Sequence, residues 1–279
     1  MIDLDGVLFS YPHRSPVFNG FSLGIAQGDI WSVIGPSGGG KSTLLLLIAG
    51  LVLPQEGSVA VLGRQLDRPR PGTSLILQDY GLLPWATVRE NVALGLRIQQ
   101  FYGPDGRHAP IGPRISPRVA IGRVEHWLER LAIGDVAGQY PSQISGGQRQ
   151  RAAIARALVL APDLLLMDEP FSALDAPTRE DLQGLSLQLA SEASLTLVLV
   201  THNIEEAAFV GQKILVLGPP PNRGADVIEA QHVADAGYRR SADYSAICAR
   251  LRDMLATSAS SRAAAEVDSN APASNTGGT

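Results

Sequence analysis

Apolar and polar positions fall into short blocks along this chain. Ile30-Trp31-Ser32-Val33-Ile34 is a nearly continuous apolar run between Gly28 and Gly35, the pattern of a strand buried on both faces. Leu164-Leu165-Leu166-Met167, stopping at Asp168-Glu169, repeats it, as do Leu195 to Val200, stopping at Thr201-His202, and Ile214 to Leu217. Ser58 to Leu62 reads as another strand, followed by a turn at Gly63. Helical spacing covers Ser42 to Ala49, with Gly50 where a C-terminal cap belongs, and then Arg89 to Gln100, Arg123 to Ala132 and Gln148 to Leu160. Continuously apolar strands separated by helices predict an α/β fold whose parallel sheet is covered on both faces. Such sheets bind ligands beyond the carboxyl ends of their strands, and the polar residues Asp168, Glu169 and His202 fall there.

Two stretches break the pattern. Gly103 to Pro117 carries Pro104, Pro110, Pro113 and Pro117, which forbids a continuous helix and predicts a surface loop inserted in a helical region. Its arginines serve either a solvated loop or contact with a partner or lipid headgroups. Residues 256–279 are dominated by Ala, Ser, Thr, Asn and Gly, and are expected to be disordered because they bury too little to offset ordering entropy.

Composition narrows the function. Of 279 residues, 45% are hydrophobic and 18% charged, with net charge -4. The acidic balance argues against a broadly basic nucleic-acid binder. One cysteine, Cys248, excludes an internal disulfide framework and a cysteine zinc cluster, and the histidines lack metal-ligand spacing. No apolar run is long enough to span a bilayer and no secretory signal is visible, so a cytosolic address is expected.

Gly35-Pro36-Ser37-Gly38-Gly39-Gly40-Lys41-Ser42-Thr43 matches G-x-x-x-x-G-K-[ST] between a predicted strand and a predicted helix. Glycines let the loop wrap so that its amides converge on a phosphate, and the helix N-terminus adds positive potential. Lys41 supplies a point charge for β- and γ-phosphates, and the Ser42 hydroxyl is placed to ligate Mg²⁺. Asp168 is the expected carboxylate of the metal sphere. If the strand continues, Glu169 points to the opposite face and suits a general base polarising the attacking water. Alone, an Asp-Glu pair at a strand end equally suits a cap or a solvated turn.

Ile144-Ser145-Gly146-Gly147-Gln148 opens an Arg- and Ala-rich helix. Ser145 is a good N-cap, Gln148 completes a capping box, and the glycines open the helix N-terminus to a second anion. An ordinary capped helix would look the same from this segment alone. The full ordered set, however, resembles the ATP-binding subunit of ABC transporters. It comprises Gly35 to Thr43 as Walker A, Gln78 as the Q-loop glutamine, Ile144 to Gln148 as the signature, Leu164 to Asp168 with Glu169 as Walker B, Ser172 to Asp175 as the D-loop and His202 as the switch histidine. Tyr11 sits where that family places an aromatic that stacks on adenine. The departure is Ile144, where the signature usually has leucine.

The resemblance implies a P-loop NTPase with a RecA-like parallel core at about 1–88 and 159–220, an antiparallel β subdomain, an inserted helical subdomain at about 89–158 and a C-terminal extension at about 221–255. It implies a head-to-tail dimer with two ATP sandwiched between copies, each touching the P-loop of one and the signature of the other, Ser145, Gly146, Gly147 and Gln148. Glu169 would activate water, His202 hold the γ-phosphate, Gln78 sense it and Mg²⁺, and Asp175 link the two sites. Gln78 to Trp85, Thr87 to Leu96 and Tyr140-Pro141-Ser142-Gln143 look like the importer branch serving nitrate, alkanesulfonates and taurine, and Tyr244 to Leu255 resembles its final helix. Leu82, Leu83, Pro84 and Trp85 would then meet a transmembrane permease at the cytoplasmic face of the membrane, with a solute-binding protein beyond it and no nucleic acid. Trp85 as a packed core aromatic is the competing expectation. Competing functions are an importer ATPase for another small solute, a soluble ABC ATPase of DNA repair or translation, and a nucleotide-binding adaptor without turnover. One P-loop, an insertion without heptads, and intact Glu169 and His202 argue against the last two.

Overall fold

The structure, a computed structural model, describes residues 1–102, 115–230 and 237–269. Its strands are β1 (Ile2–Phe9), β2 (Phe18–Ile25), β3 (Ile30–Ile34), β4 (Glu56–Val61), β5 (Arg64–Gln65), β6 (Thr73–Ile76), β7 (Leu164–Asp168), β8 (Thr196–Val200), β9 (Lys213–Val216) and β10 (Asp226–Glu229). Its α-helices are α1 (Lys41–Ile48), α2 (Val88–Tyr102), α3 (Pro117–Arg130), α4 (Gly146–Leu158), α5 (Ala176–Glu192), α6 (Ile204–Val210) and α7 (Ala242–Ser269). β6 to β9 and β3 form a parallel sheet in the order β10-β9-β3-β8-β7-β6, with β10 antiparallel at one edge. A second, antiparallel sheet runs β2-β1-β4-β5.

The apolar strands are continuous because both faces of the parallel sheet are covered. Leu164, Leu166, Val198 and Val200 face the core made with α1 and the antiparallel sheet. Leu165, Met167, Leu197 and Leu199 face the opposite core, which contains α2, α3, α4 and α5. A third cluster joins Ile214 and Val216 of β9 to Ala207 and Ala208 of α6 and to Cys248 and Leu251 of α7. Gly50, at φ 70 just past α1, takes the left-handed turn expected of it.

Boundaries moved in two places. α3 begins at Pro117, earlier than the expected Arg123, because Ser116 caps it and Pro117 fits a first helical position. Most of the proline-rich loop, residues 103–114, lies outside the described residues. The tail expected to be disordered from residue 256 continues α7 as far as Ser269. The alanines of 256–269 are strong helix formers and prolong a helix already anchored by packing. Residues 270–279 lie outside the described residues. Among the described residues, no helix is long and apolar enough to cross a membrane.

Candidate functional site

Four neighbouring strands of the parallel sheet, β3, β8, β7 and β6, end on the same side, and the polar residues cluster beyond those ends. β3 runs into the glycine-rich loop, and α1 starts at Lys41. Gly40 holds φ 98, and a Cβ there would lie 2.6 Å from Val17 Cγ1, so the turn into α1 requires glycine. The loop is fixed from outside by Asn222, buried, whose Nδ2 donates to the Gly39 carbonyl at 2.9 Å. A cleft of about 770 Å³ opens over it. Ser37, Gly38, Gly40, Lys41, Ser42 and Thr43 line it, with Tyr11, Glu169 and His202. Gly35 and Gly39 are buried beneath, and Pro36 is half-buried.

The Lys41 ammonium donates to the Gly35 and Pro36 carbonyls at 2.9 and 3.0 Å. Burial pulls its pKa below the ordinary lysine value, against the charges of Glu169 and Asp168, which hold it up. Burial likewise pushes Asp168 up, opposed by the hydrogen bond from the Ser42 hydroxyl and by Lys41 and reinforced by Glu169. A buried cation beside two carboxylates, where a glycine-rich loop opens a helix N-terminus, suits a polyphosphate with a hard metal ion. The Ser42 hydroxyl and the Asp168 carboxylate are oxygen donors of the kind Mg²⁺ takes when phosphate oxygens and water complete its shell. This donor set fits Mg²⁺ although the described residues contain no cluster of three His, Cys, Asp or Glu.

Glu169 departs from expectation. The strand stops at Asp168, and Glu169 turns to φ 45. It therefore lines the cleft on the same side as Lys41 instead of pointing to the opposite face. A left-handed glutamate costs about 1–3 kcal/mol, a strain typical of functional sites. Two side chains converge on its Oε2: His202 Nδ1 at 3.0 Å and Gln78 Nε2 at 3.4 Å. Tyr11 stands at the other end of the cleft, its hydroxyl 3.2 Å from Thr43 Oγ1 and its ring edge-on to Phe9.

Ser145, Gly146, Gly147, Gln148 and Asp175 do not line this cleft. Ser145 and Gln148 form the expected capping box of α4, and Asp175 caps α5 by accepting from Thr178 N at 3.0 Å. The two helix starts adjoin, since a Cβ on Gly147 would lie 2.7 Å from Thr178 Cγ2. Ile144 is buried, so its substitution for leucine is a matter of packing. Trp85 is 74% exposed, which rejects the packed-core alternative. Arg14, Ser15, Val17 and Pro220 also line the cleft, and Asn222 props the loop. None carried a signal in the sequence, because each acts through a position that only the fold brings near the glycines.

Residues 18–172 match the ABC transporter family model. The chain is 39% identical over 217 residues to the taurine import ATP-binding protein TauB of Ruegeria pomeroyi, covering 77% of this chain and 76% of that protein. It is 45% identical over 202 residues to the bicarbonate transport ATP-binding protein CmpC of Synechococcus elongatus, covering 72% of this chain but 29% of that longer protein. Among solved structures it is similar to the ATP-binding cassette MJ0796 in a dimeric post-hydrolysis state bound to ADP and Pi. That similarity has a TM-score of 0.69 at 29% identity, over 84% of this chain and all of that one.

Proposed function

This chain belongs to the ABC transporter family as an ATP-binding cassette with ATPase chemistry, and from that premise we propose that it powers an importer of a small anion or sulfonate. The named relatives serve taurine and bicarbonate, and with the nitrate- and sulfonate-type motifs they support this substrate class. The observation that carries the hydrolytic reading is the convergence of Gln78 and His202 on one oxygen of Glu169, beside the phosphate loop.

That geometry and the family resemblance together support the following steps. Tyr11 stacks on the adenine, and the amides of Gly38 to Ser42 with Lys41 hold the phosphates. Ser42 and Asp168 would hold Mg²⁺, with Gln78 as a further ligand, and the ion would supply charge neutralisation at the phosphate oxygens. Glu169 orients the attacking water and accepts its proton. The His202 Nδ1 contact with Glu169 leaves Nε2 to face the γ-phosphate. Ser145 and Gly147, at the start of α4 and absent from their own cleft, act on the nucleotide of a second copy, so two helix N-termini flank the transferred phosphoryl group. ATP then joins the two copies, and hydrolysis separates them.

Trp85 lies on the loop that begins at Gln78. Exposed there beside Leu82 and Leu83, it marks the contact with a membrane permease at the cytoplasmic face. Phosphate release from Mg·ATP by the full chain tests the enzymatic reading, with Lys41→Ala as control. Turnover by the parent and its loss in the variant are expected; a parent that releases no phosphate would sink it. Uptake of labelled taurine, nitrate and bicarbonate by cells with and without this chain tests the substrate class.

A further inference from the structure

His202 reaches the cleft from a loop whose support lies on the far side of the sheet. Its neighbours are both tied down: Asn203 N donates to Thr201 Oγ1 at 3.0 Å, and Asn203 caps α6 by accepting from Glu206 N at 2.9 Å. The Thr201 hydroxyl donates in turn to Glu206 Oε2. Glu206 is 4% exposed, and a carboxylate so buried persists only where its oxygens are satisfied. Gln183 Nε2 of α5, 1% exposed, donates to Glu206 Oε1 at 3.3 Å. Burial still pushes Glu206 above the ordinary carboxylate value, against the Thr201 and Gln183 hydrogen bonds and the charges of Arg179 and His202.

The chain of contacts ends in the C-terminal segment. Arg239 donates to Gln183 Oε1 at 2.5 Å and stacks on Phe209 of α6, with 3.8 Å from its guanidinium carbon to the ring centroid. Two further contacts from α7 grip the first turn of α6. The Tyr244 hydroxyl donates to the Glu205 carbonyl at 3.2 Å, and Arg252 pairs with the Glu205 carboxylate at 2.5 Å.

We propose that the C-terminal segment is a brace for the switch histidine, with Arg239, Gln183 and Glu206 acting as positioning residues that set His202 against Glu169. The proposal rests on the reading that His202 acts on the γ-phosphate. A planar guanidinium suits Arg239 because one face stacks on Phe209 while an edge donates to Gln183, a combination lysine cannot make. Nucleotide binding depends on Tyr11 and the glycine-rich loop, which touch none of these residues. Losing the brace therefore slows hydrolysis and spares affinity.

The test is a double-mutant cycle in the full chain: Arg239→Ala and Arg239→Lys, each in the parent and in His202→Ala, with kcat and KM for ATP measured. Arg239→Ala is expected to lower kcat about tenfold with KM kept within about twofold, and Arg239→Lys to recover part of the loss. In the His202→Ala background Arg239→Ala is expected to have no further effect. Unchanged kcat, KM rising in step with the loss of kcat, or an equal loss without His202 overturns the brace. Parent-level turnover by His202→Ala alone overturns the reading beneath it, and that outcome is visible without any Arg239 variant.

Discussion

Asn91→Ala perturbs the loop that links the active site to the proposed permease surface. Asn91 is completely buried in the first turn of α2. Its Oδ1 accepts from Leu83 N at 2.7 Å, and its Nδ2 faces the Leu83, Ala86 and Thr87 carbonyls at 3.1, 3.0 and 3.0 Å. The Leu83 carbonyl keeps the Ala86 amide and the Thr87 carbonyl keeps the Asn91 amide. The Leu83 N–H and the Ala86 carbonyl are therefore the groups stranded by the substitution. A stranded buried backbone group costs about 1–3 kcal/mol, with the half-exposed Leu83 amide at the low end. Alanine returns at most about 0.7 kcal/mol of helix propensity. The net loss is about 2–3 kcal/mol, which at about 2–4 °C per kcal/mol for a chain of this size lowers Tm by roughly 5–10 °C. Calorimetry measures that shift, and hydrogen exchange at Leu83 reports whether the loop has opened. A stability loss under about 0.5 kcal/mol with the Leu83 amide still protected would refute the assignment of Asn91 as the pin of this loop.

Three further outcomes follow from the same geometry. Gly40→Ala places a Cβ against Val17 at a left-handed backbone position, so ATP affinity should fall about tenfold, measured by equilibrium binding; parent-level affinity would show that the loop yields without loss. Trp85→Ala should cut recovery of the permease about tenfold in pull-downs while ATP binding stays intact, and parent-level recovery counts against that surface. Burial of Asp29 alone would raise its pKa, but hydrogen bonds from Lys213, Trp31 and Ala26 outweigh it and hold the value below 3.8. The native state then binds that proton less readily than the unfolded chain, so the stabilisation is present above pH 3.8 and is lost as pH falls through the native value. Asp29→Asn should accordingly be less stable than the parent at neutral pH and converge on it in acid, as pH-dependent unfolding would show; a constant gap down to acid would contradict this.

The parallel core was legible because a strand buried on both faces must be apolar throughout. That is why β3, β7, β8 and β9 stood out at Ile30, Leu164, Leu195 and Ile214. β6 and β10, four residues each at the two edges of the sheet, carry too little apolar sequence to stand out. The phosphate loop was legible because its residues are contiguous and their chemistry is local. The contacts of Gln78 and His202 with Glu169 join three separate strand ends; the strand pattern had already set Glu169 and His202 at those ends, but only the family resemblance added Gln78. Spacing misplaced Glu169, since strand alternation does not foresee the turn to positive φ after Asp168. The Glu206, Gln183 and Arg239 network left no trace in the sequence, because buried polar residues look like surface ones until the fold covers them.

Glu169→Gln tests the central claim most directly. The amide keeps the size of the side chain but cannot take a proton from water, so turnover should fall by about 10²-fold or more while ATP binding persists. Sedimentation of the slow variant with ATP should then show a stable dimer that the parent forms only transiently. Hydrolysis at the parent rate, with the variant monomeric at saturating ATP, would contradict both the base and the nucleotide sandwich.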